Sequence, residues 1–371
     1  MSDFDEQMMA RALELAGRGL GRVEPNPAVG AVVTSGETVV GEGYHQFFGG
    51  PHAEVNALAA AGERARGATM YVTLEPCCHY GKTPPCTDAV IRAGIARVVV
   101  AMQDPFEKVA GRGLALLREA GIQVDLGLCE KSAMKLNAPY LKLHLRGLPF
   151  FTAKWAMTLD GKIATESGDS TWISSAASRE IVHRMRDRAD AVMIGVRTAV
   201  RDDPLLTCRL DGGRSPRRIV VDSKARLPLA SRLVATVQEA PLWVACGRSA
   251  PPERVQALAE AGCRVISLPE RADHVDLTAL ARTLAREPLT NVLAEGGAEL
   301  FGSLFEAQLV DRVMVFVAPK LLGGKNAPTA VLGVGFPSVS EAWTVRDLSV
   351  TRIGEDVLVE GDVSYGEEVS A

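Results

Sequence analysis

The sequence predicts an α/β protein of two domains, each a sheet covered by helices. Three observations predict it. Short apolar strand-like runs alternate with stretches of helical apolar spacing. The alternation runs twice, pausing over residues 130–148 around Asn137-Ala138-Pro139-Tyr140 and Gly147-Leu148-Pro149. The chain of 371 residues, 47% hydrophobic and 23% charged, has material for two ordinary cores. The border is placed near Gly147, giving domains 1–147 and 148–371.

Met8, Met9, Ala12, Leu13, Leu15 and Ala16 recur at helical spacing and predict a helix over 5–19. Pro25-Asn26-Pro27-Ala28-Val29-Gly30 is a turn leading into a strand at 31–33, and a second strand follows at 38–40. A helix begins near His52, runs through Ala61 and stops at Gly62. Strands at 68–74, 96–102 and 122–126 then alternate with helices at 86–93 and 111–120, so a mainly parallel sheet between helical layers is expected. In the second domain, strands at 150–157, 190–195, 217–222, 241–246, 264–268, 290–294 and 312–318 interleave with helices at 175–187, 197–201, 251–261, 276–286 and 298–306. Asp356–Gly361 contributes a last strand.

Net charge is −4 with no long Lys/Arg run, which argues against a nucleic-acid partner and for a small-molecule substrate. The acidic start, Met1-Ser2-Asp3-Phe4-Asp5-Glu6, lacks the basic and apolar regions of an export signal. No apolar run approaches the length of a membrane span. Seven Cys, an odd count, fit a reducing cytoplasm better than paired disulfides. Cys129, Cys208, Cys246 and Cys263 read as buried small hydrophobes. A cytoplasmic homo-oligomer without membrane contact is expected.

The chemistry of the first domain concentrates in Pro51-His52-Ala53-Glu54, Glu75-Pro76-Cys77 and Pro84-Pro85-Cys86. One His, a Glu two residues on and two later Cys, each near an expected helix start, are the parts of a zinc deaminase site. His52, Cys77 and Cys86 would leave a fourth tetrahedral position for water, whose pKa zinc lowers to about 7. Glu54, not a ligand, would carry the proton to the leaving amine. Residues two apart do not share a helix face, so His52 and Glu54 converge only if His52 stands at the helix start. Eight residues separate Cys77 from Cys86, where the commonest signature has two. Cys78 is left out, because neighbouring residues seldom point at one metal. The insert places His79 and Lys82 beside the metal, suited to a phosphate or pyrimidine edge; the alternative is a solvated loop. Asn26 either hydrogen-bonds a base or is simply a turn residue, and His45 is either a substrate contact or exposed.

With Gly43-Tyr44-His45 added, these segments resemble the deaminase half of the bifunctional deaminase/reductase family of riboflavin biosynthesis, including its extended Cys spacing. The resemblance implies a cytidine-deaminase-like three-layer α/β/α domain that removes an amino group from a diaminopyrimidinone carrying a ribosylamino phosphate. It places Asn26, His45, His79 and Lys82 around that substrate.

The second half offers Lys154-Trp155-Ala156-Met157-Thr158-Leu159-Asp160-Gly161-Lys162, Ser170-Thr171-Trp172, Gly195-Val196-Arg197-Thr198 and Asp202-Asp203-Pro204-Leu205-Leu206-Thr207-Cys208-Arg209. Glu295-Gly296-Gly297-Ala298-Glu299-Leu300 closes a strand and opens a helix, where an anion could approach backbone N–H groups; the alternative is a plain turn. It is not G-x-G-x-x-G, so a Rossmann reading is not supported. Together these segments resemble the reductase half of the same family, with a dihydrofolate-reductase-like α/β fold. That implies NADPH-dependent reduction of the ribosylamino sugar to ribityl. The resemblance carries Ala156, Trp172, Thr198, Asp202, Ser223 and Gly297 through Leu300 to the dinucleotide, and Ser170, Arg186, Leu206, Arg209 and Glu295 to the substrate. Arg186 and Arg209 suit a phosphate dianion; apart from the resemblance, Arg186 in His183-Arg184-Met185-Arg186 reads as a charged helix face. Lys154 and Asp202 are the candidate proton sources. The rival reading is a zinc deaminase of another nucleoside or a tRNA with a non-catalytic C-terminal module.

Overall fold

The chain begins with helix α1 (Asp3–Gly17), started by a reciprocal cap. Ser2 Oγ accepts from the Asp5 N–H at 3.2 Å, and Asp5 Oδ2 accepts from the Ser2 N–H at 2.9 Å. The computed structural model describes residues 2–366 and divides the chain into two units, Met1–Gly147 and Leu148–Ala371.

In the first unit α1 is followed by β1 (Gly30–Ser35), β2 (Thr38–Tyr44), α2 (Ala53–Ala61), β3 (Thr69–Val72), α3 (Cys86–Ala93), β4 (Arg97–Val100), α4 (Arg112–Glu119), β5 (Gln123–Leu126), α5 (Glu130–Leu136) and α6 (Ala138–Arg146). The sheet order is β2-β1-β3-β4-β5. It is mixed rather than mainly parallel: β1 pairs antiparallel with both β2 and β3, and only β3, β4 and β5 run parallel. The connection between β1 and β2 is too short for a crossover and must return the chain antiparallel. A Cβ at Gly30 would lie 2.0 Å from the Ala12 carbonyl of α1, and one at Gly43 would lie 2.4 Å from the Ala57 nitrogen of α2. Gly30 pairs with Tyr44 and Gly43 with Ala31, so the two glycines face opposite sides of the sheet. Helices therefore cover both faces, giving three layers.

Helices α5 and α6 occupy the stretch where the sequence pattern pauses. Between them Asn137, 2% exposed, reaches back to the turn that carries Asn26. Its Oδ1 accepts from the Ala28 N–H at 2.8 Å and its Nδ2 donates to the Ala28 carbonyl at 3.0 Å.

The second unit contains β6 (Phe150–Thr158), α7 (Ala176–Arg188), β7 (Ala191–Gly195), α8 (Val196–Asp202), β8 (Arg217–Val221), α9 (Arg232–Ala235), β9 (Leu242–Gly247), α10 (Pro252–Glu260), β10 (Arg264–Leu268), β11 (Glu270–Arg271), β12 (His274–Val275), α11 (Leu277–Arg286), β13 (Asn291–Gly296), α12 (Ala298–Glu306), β14 (Val310–Ala318), β15 (Thr344–Ile353) and β16 (Asp356–Ser364). Nine strands lie in the order β10-β9-β8-β7-β13-β6-β14-β16-β15. The first seven are parallel, and the last two pair antiparallel. The parallel strands are covered on both faces, so β9 is buried at every position. Strand β15 was not expected: it is exposed along almost its whole length, and no buried apolar face marks it. After β10 the chain returns to insert β13 between β7 and β6, so the carboxyl ends of these three strands lie side by side, where open α/β sheets commonly bind ligands. Cys246 and Cys263 are buried as expected, but Cys129 and Cys208 are only half-buried, on a domain edge and a loop respectively. No helix among the described residues is long and apolar enough to cross a membrane.

Candidate active sites

His52 is the N-cap of α2, with φ −73° and ψ 165°. Its backbone is extended rather than helical, which turns the ring out of the helix and satisfies the condition for convergence with Glu54 in the first turn. Cys86 is the first residue of α3. Cys77 stands near a helix start, as expected, without opening a helix itself. Its Sγ accepts from the Cys86 N–H at 3.4 Å and its carbonyl from the Thr87 N–H at 3.2 Å, which puts the sulfur at the positive end of α3.

His52 Nδ1 lies 3.5 Å from Cys77 Sγ and 3.3 Å from Cys86 Sγ. The three candidate ligand atoms all lie within 4.8 Å of one another. Tetrahedral zinc with bonds of about 2.0–2.3 Å separates its N and S ligands by roughly 3.6 Å, so the donor set fits the ion. Cys78 Sγ turns away to the Lys108 carbonyl at 3.6 Å. Hydrogen bonds from Cys86 and His52 hold the Cys77 thiol down at about 4. Cys86 is raised, by its hydrogen bond to Cys77 and by burial. Burial, reinforced by the charge on Cys77, pushes Glu54 up to about 7. A carboxyl poised there exchanges a proton readily at neutral pH.

His45 is buried, 2% exposed. Its Nδ1 contacts the Pro51 carbonyl at 3.1 Å, and a carbonyl only accepts, so Nδ1 carries the hydrogen. Nε2 then accepts from Asn26 Nδ2 at 3.3 Å, which turns the Asn26 carbonyl oxygen toward other partners. The His45 ring packs edge-on to His52 at 5.1 Å, and burial lowers its pKa. Asn26, His45 and His52 thus form one contiguous chain. Lys82 is exposed, with Nζ 3.8 Å from the Phe48 ring centroid. His79 packs against Phe106 at 5.8 Å, its Nδ1 buried without a hydrogen-bond partner.

In the second unit, Ser170, Trp172, Arg186, Asp202, Leu206 and Arg209 line one cavity of 460 Å³. Arg186 is not the charged surface its local sequence suggests: it is forked with Glu295, and its Nη1 donates to the Thr207 carbonyl at 3.1 Å. Three further arginines line the cavity: Arg201 pairs with Asp202, Arg232 donates to the Asp203 carbonyl, and Arg209 offers its guanidinium beside His183. Lys154 is half-buried on β6, and desolvation lowers its pKa while nearby Glu295 opposes the shift. Asp202 pairs with Arg201 at 2.8 Å. Trp172 is 62% exposed, with the Arg179 guanidinium 4.4 Å from its ring and the Lys320 ammonium donating to its carbonyl at 2.6 Å.

Gly297 holds φ +101° at the start of α12, a conformation that favours glycine. A Cβ there would stand 3.4 Å from Thr198 Oγ1 and 3.7 Å from the Gly195 nitrogen, so the turn after β13 lies against the turn after β7. The segment 297–300 offers backbone rather than side chains: Leu300 is buried in the core and Glu299 pairs with Arg197. Ala156 is half-buried on β6. Ser223 stands apart from the cavity lining, its Oγ occupied by the Val275 N–H at 3.0 Å.

Sequence reasoning missed Thr83, whose Oγ1 faces His52 Nε2 at 3.4 Å, and His183, which contacts Arg209. The second was detectable, since His183 and Arg186 are three residues apart on one helix.

The chain matches two family models: the cytidine and deoxycytidylate deaminase zinc-binding region over residues 2–102, and the RibD C-terminal domain over residues 149–359. It is 42% identical to the riboflavin biosynthesis protein RibD of Aquifex aeolicus, over 96% of this chain and 98% of that protein. Among solved structures it is similar to Acinetobacter baumannii RibD, with a TM-score of 0.86 and 38% identity over 97% of this chain and 99% of that one. It is similar also to the diaminohydroxyphosphoribosylaminopyrimidine deaminase/5-amino-6-(5-phosphoribosylamino)uracil reductase of Thermotoga maritima, with a TM-score of 0.83 and 36% identity over 97% of this chain and 99% of that one.

Proposed function

Because this chain belongs to the RibD family of riboflavin biosynthesis, we propose how its residues divide the work of a two-reaction enzyme. It is a zinc-dependent deaminase of a diaminopyrimidinone carrying a phosphoribosylamino group, and an NADPH-dependent reductase that converts the ribosyl to a ribityl chain. The rival, a deaminase of another nucleoside or a tRNA with a non-catalytic C-terminal module, is not favoured, because the reductase-type match covers residues 149–359.

His52, Cys77 and Cys86 hold the zinc, which when bound supplies the Lewis acidity that makes water nucleophilic near neutral pH. Glu54 takes the proton and returns it to the departing amine. Asn26 presents its carbonyl oxygen to the amino edge of the pyrimidine, with its amide fixed by His45, while His79 and Lys82 flank the substrate. In the reductase unit, bound NADPH supplies the hydride. The α12 N-terminus, Thr198, Ala156 and Trp172 receive the dinucleotide, with Asp202 at the edge and Ser223 toward the adenosine end. Arg209 takes the substrate phosphate, with Ser170 and Leu206 beside it. Glu295 orients Arg186, and Lys154 or Asp202 supplies the proton. Net charge supports the absence of a nucleic-acid partner, seven free cysteines suit a cytoplasmic setting, and the exposed edge strand β15 supports a homo-oligomer.

The deaminase half of the reading is carried by three ligand atoms within 4.8 Å of one another beside a buried carboxyl. The test is incubation of zinc-loaded protein with the diaminopyrimidinone phosphate, with and without NADPH, followed by mass analysis. Ammonia release in both arms and gain of two hydrogens only with NADPH are expected. Absence of ammonia removes the deaminase reading, and an NADPH-independent product mass removes the reductase reading.

A further inference from the structure

His183 lies on α7 one turn before Arg186, on the same face. Both of its ring nitrogens meet donors of Arg209. The Arg209 backbone N–H lies 3.3 Å from Nδ1, and Arg209 Nε lies 3.2 Å from Nε2. Cys208 Sγ reaches the His183 carbonyl at 3.4 Å. The segment that carries the Arg209 guanidinium is thus tied to α7 through the Cys208 and Arg209 contacts with His183.

A neutral imidazole has one N–H and one bare nitrogen. Only one of the two Arg209 contacts is therefore a hydrogen bond at a time: in the Nδ1–H tautomer the bare Nε2 accepts from the Arg209 guanidinium Nε. An imidazolium accepts from nothing, and it would stand as a third cation beside two guanidiniums. The charged groups facing the ring are Arg186 on its own helix, Arg209 on the loop and Glu295 on β13. Glu295 alone favours protonation, and it is already forked with Arg186. Burial first, and then the two arginines, hold the ring's pKa below its usual value.

We propose that His183 is a positioning residue for the reductase substrate: as neutral imidazole it aims the Arg209 guanidinium into the cavity, and its protonation releases that guanidinium, weakening recognition of the substrate phosphate in mild acid. The inference rests on the assignment of Arg209 to the phosphate.

The test is reductase kinetics of the full chain on pre-deaminated phosphorylated substrate, between about pH 5.5 and 8, for wild type, His183→Ala, His183→Gln and Arg209→Ala. At neutral pH, His183→Ala raises KM about tenfold with kcat within about twofold, the size of one lost hydrogen bond to a charged group. His183→Gln, whose amide also donates and accepts, keeps KM near wild type. The substrate phosphate itself gains a proton near pH 6, so the diagnostic is a difference: wild-type KM climbs more steeply below about pH 6 than that of His183→Gln. Equal slopes overturn the proposal, as does a His183→Ala KM within about twofold of wild type. If His183→Ala does not fold, the wild-type and His183→Gln slopes still decide. Arg209→Ala separates the layers. An unchanged KM there removes the phosphate assignment itself, whereas a raised KM with a silent His183→Ala removes only the role of His183.

Discussion

Arg186 and Glu295 meet as a parallel fork, Nε to Oε1 at 2.6 Å and Nη2 to Oε2 at 2.7 Å, with 13% and 6% of their side chains exposed. The pair bridges α7 and the end of β13. Burial opposes ionisation of Glu295, but the charge and hydrogen bonds of Arg186 outweigh it and hold the carboxyl below its usual range. The fork takes two of the five Arg186 donors and the Thr207 carbonyl a third, so less of this guanidinium is open to a phosphate than of Arg209, which gives its Nε to His183.

Glu295→Gln therefore strands a buried guanidinium and costs about 3–5 kcal/mol of unfolding free energy, read from denaturant melts. Because the folded pKa is depressed, the ionised Glu295 stabilises fully above the unfolded value of about 4.3, and the contribution is lost as pH falls through the folded value. The gap between variant and wild type should accordingly be constant near neutrality and narrow below about pH 4. A gap that widens in acid would contradict this account.

Glu54→Gln keeps the shape beside the zinc ligands but cannot shuttle a proton. Ammonia release should fall by about 10²–10⁴-fold, with zinc content unchanged. NADPH oxidation on pre-deaminated substrate should persist, and its loss would mean that the two sites are not independent.

Thr83 Oγ1 faces the nitrogen of His52 that does not point at the sulfurs. Such partners fix the tautomer of a ligating imidazole. Thr83→Val should weaken zinc binding about 10-fold in chelator competition. Wild-type affinity in the variant would show that the hydroxyl does not hold the ring.

Lys154→Gln should lower reductase turnover about 100-fold, followed as NADPH oxidation, and leave ammonia release intact. Unchanged turnover would pass the proton role to Asp202.

Asp5 ties α1 to the sheet: Arg97 Nη1 reaches Oδ1 at 2.7 Å, and the Tyr71 hydroxyl donates to the same oxygen at 2.8 Å. The Arg97 hydrogen bonds hold Asp5 well below the usual carboxylate range against the effect of burial. Asp5→Asn should cost about 2–4 kcal/mol at neutral pH and Tyr71→Phe about 1 kcal/mol. Both are measurable by calorimetry, and additive losses would argue that the two contacts are independent.

Much of the site was legible in short words of sequence. His52-Ala53-Glu54 and the two prolines before Cys86 mark helix starts through local backbone preferences, and the alternation of strand and helix follows from apolar spacing. Helices α5 and α6 fall in the pause between the two alternating runs, and β15 has no buried face to impose an alternation. Cys77 lies near a helix start as expected, and that start is the one Cys86 opens, reached across the intervening insert.

By itself, then, the sequence determined which side chains are present at which local spacing, because caps, turns and periodicity depend on near neighbours. Only the tertiary structure decided that Cys77 shares the start of α3 with Cys86, and that Arg186 is the partner of Glu295 rather than a surface charge. Asn137 grips Ala28, and Arg186 grips Glu295, each across 109 residues. Burial and charge pairing are set by such distant approaches, and nothing in the local chain encodes them.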